Sequence, residues 1–137
     1  MAKQSTTKKS TIKKTVKKRK KRQVQKVFVK IKSGYNNTIV TISDYEGNAL
    51  SQSSGGAVGF RGSKKSTAFA ATKAAEDAVA KASAYGIREA VIVVRGMGMG
   101  RQAAVKGIRS AGLKITSLSD FTSVPHGGTT PRKQPKK

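Results

Sequence analysis

A chain of 137 residues with 29 lysines and arginines against 6 acidic residues carries a net charge of +23. That length suits one domain, and that charge opposes a compact state unless a polyanion offsets it. The absence of cysteine and the single histidine, His126, exclude disulfides, thiolate zinc sites, a cysteine nucleophile and a multi-histidine metal cluster.

Residues 1–22 hold 11 cations, no acid and only four apolar side chains, too few to offset the entropy of ordering the chain. Residues 1–23 are therefore expected to form a disordered basic arm. No run approaches the roughly 18 apolar residues of a membrane span, and the start lacks the apolar segment of a secretory signal. A soluble, unexported chain with no membrane partner is expected, and retention of the lysine-dominated start is favoured because a transit segment needs an amphipathic apolar face.

From Val24 the letters alternate. Val27, Val29 and Ile31 share one face, while Lys26, Phe28, Lys30 and Lys32 share the other, the period of a half-buried strand. The turn-rich residues 33–37 lead into a second strand at 38–42, and residues 44–48 lead into a third at 49–53, an antiparallel meander. Gly55, Gly56, Gly59 and Gly62 follow, a connection able to take positive φ and approach another surface closely.

A helix is predicted from Ser66 or Thr67 to Gly86, with Ala68, Ala71, Ala75, Ala78, Ala82 and Tyr85 along its buried stripe and Lys73, Asp77 and Lys81 as a charge ladder on its wet side. The unbroken apolar run Ala90-Val91-Ile92-Val93-Val94 suits a strand covered on both faces, placed at the sheet centre. After Gly96-Met97-Gly98-Met99-Gly100, a second helix runs from Arg101 to about Ala111 and closes at Gly112; Leu113 to Leu118 makes the last strand. The class is α/β: a mixed β-sheet of about five strands in the order βββαβαβ, with two helices, over residues 24–122. Residues 123–137, with all three prolines, four cations and no acid, read as an extended basic C-terminal arm.

The excess charge sits largely on the arms, since residues 23–124 carry only +8. The sharpest internal signal is a strand, a glycine-rich turn and a helix start, with Arg95 and Arg101 flanking Gly96, Gly98 and Gly100. Free N–H groups at a helix start suit phosphate. A mononucleotide loop needs a lysine followed by serine or threonine where Arg101-Gln102 stands, and the glycine spacing misses a dinucleotide fingerprint, so no cofactor is expected. Two readings stand for the glycines, turn geometry alone or approach to a nucleic-acid backbone, and the flanking arginines favour the second.

Gly59, Phe60, Arg61, Gly62, Ser63, Lys64 and Lys65 form a second basic loop, suited to unpaired RNA bases, with Phe60 either stacking on a base or plugging the core. Further RNA-binding candidates are Lys106 and Arg109 on the second helix, Lys17, Lys18, Arg19, Lys20, Lys21 and Arg22 in the first arm, and Arg132, Lys133, Lys136 and Lys137 in the last. A metal-dependent nuclease would need converging carboxylates. Asp44 and Glu46 instead fall in a turn and Glu76 and Asp77 on the wet helix face, so a binder of nucleic acid, with no small-molecule substrate, is favoured over an enzyme. A sequence-indifferent packaging protein is the rival binder.

The segment Tyr35-Asn36-Asn37-Thr38-Ile39-Val40-Thr41, the loop Gly59-Phe60-Arg61-Gly62, Phe69-Ala70-Ala71, residues 96–101 and Pro125-His126 together resemble the small-subunit ribosomal protein eleven family of bacteria and organelles, over about residues 24–133. The resemblance implies a topology similar to ribonuclease H without its active site. It also implies binding to central-domain ribosomal RNA on the small-subunit platform, beside ribosomal proteins seven and eighteen and near the exit path of messenger RNA, in a bacterial cytoplasmic or organellar ribosome. By resemblance, the RNA-facing positions are Asn36, Asn37, residues 59–65, residues 98–101 and the arm from His126 onward. The family's usual His-Asn-Gly-Cys-Arg-Pro-Pro is here His126-Gly127-Gly128-Thr129-Thr130-Pro131-Arg132, and its common proline between the glycines is Met97.

Overall fold

Alternation along β1 (Lys26–Ser33) buries Val27, Val29 and Ile31 and leaves Lys26, Lys30 and Lys32 in solvent, as a strand with one covered face requires. The structure, a computed structural model, describes residues 22–136. β2 (Thr38–Ser43) pairs antiparallel with β1, and β3 (Ala49–Ser54) antiparallel with β2. β4 (Glu89–Arg95) runs parallel to β1, and β5 (Lys114–Asp120) parallel to β4. The five strands lie in the order β3-β2-β1-β4-β5, a mixed sheet.

Helix α1 (Ala68–Ala82) starts where the Thr67 hydroxyl oxygen accepts the amide of Ala70 at 3.3 Å, and it passes through a 3-10 turn, Ser83–Tyr85, into left-handed Gly86. Helix α2 (Gly100–Ser110) precedes Gly112, which has φ 95°. α1 packs on β2 and β3, α2 on β1, β2 and β4, and the helices pack on each other. Register puts Val29 beside Ile42 and Ile92, and Ile31 beside Val40 and Val94; all are buried and belong to one core cluster with Ile108 and Leu113. Both helices therefore cover the same face of the sheet, and the molecule has two layers.

That layering corrects three expectations. The central strand is β1, with β4 between β1 and the edge strand β5. β4 is covered on one face only: Ala90, Ile92 and Val94 are buried, while Val91 and Val93 are half-exposed, because neither helix crosses to the other side. The buried surface of α1 is wider than one stripe and comprises Ala70, Ala71, Ala74, Ala75, Ala78, Val79 and Ala82, with Ala68 exposed and Tyr85 half-buried. The helix is wedged between sheet and α2 and must bury two flanks. Small side chains permit this: Gly107 of α2 sits where a Cβ would come 2.9 Å from the Thr72 carbonyl oxygen and 3.0 Å from the Ala75 Cβ, so the helix axes approach closely. On the outer side, Lys81 pairs with Asp77 as expected, but Lys73 pairs with Glu76 at 3.1 Å, since Asp77 turns inward to accept the Ser53 hydroxyl at 2.6 Å.

Candidate nucleic-acid interface

Three connections meet at the end of the sheet where β1, β3 and β4 finish. In the β1–β2 turn, the Asn37 side-chain oxygen accepts the amide of Thr38 at 2.9 Å and Gly34 N–H donates to the Asn37 carbonyl at 2.9 Å. Gly55 N–H donates to the Thr38 carbonyl at 3.1 Å, and a Cβ at Gly55 would lie 2.6 Å from the Lys65 carbonyl oxygen and 2.9 Å from the Asn37 side-chain oxygen. The loop after β3 is thus folded back onto that turn. From the other side, Gly98 N–H donates to the Ser33 carbonyl at 3.0 Å.

The glycines of the β4–α2 turn are needed for this convergence. A Cβ at Gly96 would overlap the Ser33 carbonyl, one at Gly98 the Gly34 carbonyl, and one at Gly100 the Thr38 hydroxyl. Gly98 and Gly100 are buried, so the backbone they approach is the protein's own. The alternation turns Met97 and Met99 outward, 68% and 78% exposed, and Tyr35 of the neighbouring turn is 76% exposed. Residue-type reasoning passes over Met97 and Tyr35, and Met99 enters only through the resemblance, within residues 98–101; the signal for the two methionines is their alternation with glycine, small residues packing in and large ones facing out.

Around this rim stand Arg61, Lys64 and Arg95, all exposed, with Lys65 and Arg101 half-buried. Both helices begin here, and neither has an acidic residue in its first turn. α2 starts after Met99, which supplies no side-chain cap to its first amides, and the helix dipole favours an anion at this end. Of the acids, Asp44 and Glu46 lie in the β2–β3 turn and Glu89 at the start of β4, at the far end of the sheet, and Glu76 and Asp77 lie along α1. Only Asp120 belongs to the rim, and Arg101 is ion-paired to it. The Thr122 hydroxyl and amide, then the Arg101 guanidinium, hold the Asp120 carboxyl below its ordinary value. The rim is a cationic surface with its one acid neutralised.

The other expected positions fall as follows. Asn36, Gly59, Gly62 and Ser63 are exposed at the rim. Phe60 is half-buried outside the core cluster, its ring edge-on to Phe69 at 5.7 Å between centroids. Lys106 lines a groove of about 780 Å³ with Arg101, Val105 and Leu118 between α2 and β5, whereas Arg109 sits in the last turn of α2, away from the rim. Arg22 lies at the far end of the sheet, paired with Glu46 at 3.2 Å. His126, Arg132, Lys133 and Lys136 are exposed in a segment without helix or strand. Lys17, Lys18, Arg19, Lys20, Lys21 and Lys137 lie outside the described residues. Among the described residues, no three of His, Asp and Glu gather as a metal site.

What this surface can do is attract and seat phosphate: five cations, two helix starts without an acidic residue, one of them uncapped, and a rigid backbone frame beneath them. The family described as Ribosomal protein S11 matches this chain over residues 27–136, a span that contains both helices, the whole rim and all five strands but for Lys26, the first residue of β1.

Proposed function

This chain belongs to the ribosomal protein S11 family, and on that premise we propose how it seats itself on RNA. As a family member it is a structural ribosomal protein of the small subunit that binds ribosomal RNA and serves translation. In our reading the rim meets the sugar-phosphate backbone of central-domain RNA on the platform, near the exit path of messenger RNA. Small-subunit ribosomal proteins seven and eighteen are its neighbours, and the ribosome is of bacterial or organellar type. Arg61, Lys64, Lys65, Arg95 and Arg101 supply charge, Asn36 and Phe60 reach bases or sugars, and the basic segments 1–23 and 123–137 extend the contact along the RNA. The role is binding, without catalysis, cofactor or small-molecule substrate.

The observation that carries this reading is the segregation of charge: the rim gathers five cations around one neutralised acid, while the other five carboxylates stand elsewhere. Phosphate contacts of this kind give affinity that falls with salt in proportion to the cations engaged. The test is equilibrium binding of the full chain to a folded central-domain RNA transcript and to random duplex DNA, each over a range of salt. Tighter binding to the transcript at every salt is expected. Equal affinities with equal salt slopes would overturn the reading in favour of a packaging protein.

A further inference from the structure

The face of the sheet turned away from both helices carries its own charge pattern, which meets the rim at Arg95. Along β1, Phe28, Lys30 and Lys32 project from this face. In register, Lys30 lies beside Thr41 and Val93, and Lys32 beside Ile39 and Arg95. These side chains surround a shallow concavity of about 570 Å³ that Phe121 also lines; its ring is 59% exposed. At the other end of β1, Phe28 and Tyr45 form a tilted ring pair with centroids 4.6 Å apart.

Two features of this face call for a partner. Lys32 and Arg95 are directly opposite on adjacent strands, an arrangement of like charges that destabilises a sheet, and Lys30 adds a third cation one pleat away. Among the described residues no carboxylate pairs with any of the three; the acid on this face, Glu89, is engaged by Lys26 at 3.7 Å. Apolar and aromatic groups, Ile39, Val93, Phe121 and Phe28, remain partly open beside them. Cations that repel one another, set between flat rings, complement a strand of phosphates whose bases stack on those rings. An acidic protein segment would satisfy the charges but would leave the two separated ring sites without a repeating flat partner.

We propose that this open sheet face is a second RNA surface, which takes an unpaired RNA segment running along β1 from Phe121 to the Phe28–Tyr45 pair, with Lys30, Lys32 and Arg95 on its phosphates. The proposal rests on the RNA-binding reading above and adds a single-strand site to it. Duplex RNA is excluded from this site because paired bases cannot reach the rings.

The test uses the full chain, its Lys30→Ala/Lys32→Ala variant and its Phe121→Ala variant, with short oligouridylate as the probe and the folded transcript as a parallel arm. All three substituted residues are exposed, and circular dichroism checks that each variant retains the fold. The double lysine variant is expected to lower the oligouridylate salt slope by about 1.4, two single-strand phosphate contacts. Phe121→Ala is expected to weaken binding at least fivefold with the slope unchanged. Unchanged slope and affinity in these variants, with the wild-type chain still preferring the transcript over duplex DNA, would overturn this inference alone. Loss of that preference in the wild type would overturn the ribosomal seating instead. Tighter binding of poly-glutamate than of oligouridylate, dependent on the same lysines, would assign the face to an acidic protein partner and overturn the RNA assignment.

Discussion

Gly98 donates its amide hydrogen to the Ser33 carbonyl at 3.0 Å, which ties the β4–α2 turn to the β1–β2 turn. This contact holds two of the three rim connections together, and it exists because Gly98 lacks a Cβ that would overlap the Gly34 carbonyl. The cationic rim is therefore built on backbone packed against backbone.

Gly98→Ala tests that frame. Gly98 is absent from the positive-φ glycines, so the penalty is steric, and backbone atoms on both sides leave little room to relax. A loss of about 2–3 kcal/mol is expected. Gly47→Ala is the comparison, because Gly47 has φ 92° and open space around a Cβ; only backbone strain applies there, about 1 kcal/mol. Urea unfolding of both variants measures the difference, and a Gly98→Ala protein as stable as Gly47→Ala would show the turns to be loosely joined.

Arg101 and Asp120 neutralise one another at the rim. Arg101→Ala removes a cation and leaves a carboxylate facing RNA, so affinity for the transcript falls and its salt slope drops by up to about one unit. Asp120→Asn frees the guanidinium, so affinity and slope both rise. Filter binding across salt reads both changes. A fall in affinity for Asp120→Asn would mean that the pair serves to position Arg101.

Acid sensitivity should reside partly in Asp77. Its hydrogen bond from Lys81 and then that from Ser53 hold the carboxyl below the ordinary aspartate value of 3.8. A folded value below the unfolded one stabilises the protein fully above 3.8 and progressively less as pH falls through the folded value. Ser53→Ala removes one of these bonds at a buried position. It is expected to cost about 1 kcal/mol at neutral pH and to flatten the decline of melting temperature below pH 3.8. An unchanged decline in thermal scans would remove Ser53 from the acid response.

The core cluster among the described residues begins at Val27, beyond a deletion of residues 1–22. Among the described residues that deletion breaks one exposed ion pair, Arg22 with Glu46, whose contribution is small. The melting temperature should stay within a few degrees while the salt slope on the transcript falls, because 11 cations leave with the segment. A large drop in melting temperature would place part of the folding unit before Val24.

Local chemistry made much of this molecule legible from its letters. Alternation in Val27, Val29 and Ile31 identified a half-buried strand, Thr67 and Gly86 bounded the first helix, and Asp44 was read as a turn former, as its bonds to Asn48 at 2.8 and 3.1 Å bear out. These features depend on residues close in sequence. The ladder read as Lys73 to Asp77 failed because the outcome depended on Ser53, which reaches α1 from a strand.

Element order, the sign and excess of charge, and the apolar side of β1 follow from periodicity and composition, which are properties of the chain alone. That both helices lie on one side, leaving Val91, Val93, Lys30 and Lys32 on an open face, comes from packing between distant elements. The same packing has Gly96 and Gly98 make room for the neighbouring turn, and Gly100 for Thr38 and Ala71, of the same protein. The physical reason is that an apolar run states how much surface must be shielded, whereas which element does the shielding is settled by long-range packing.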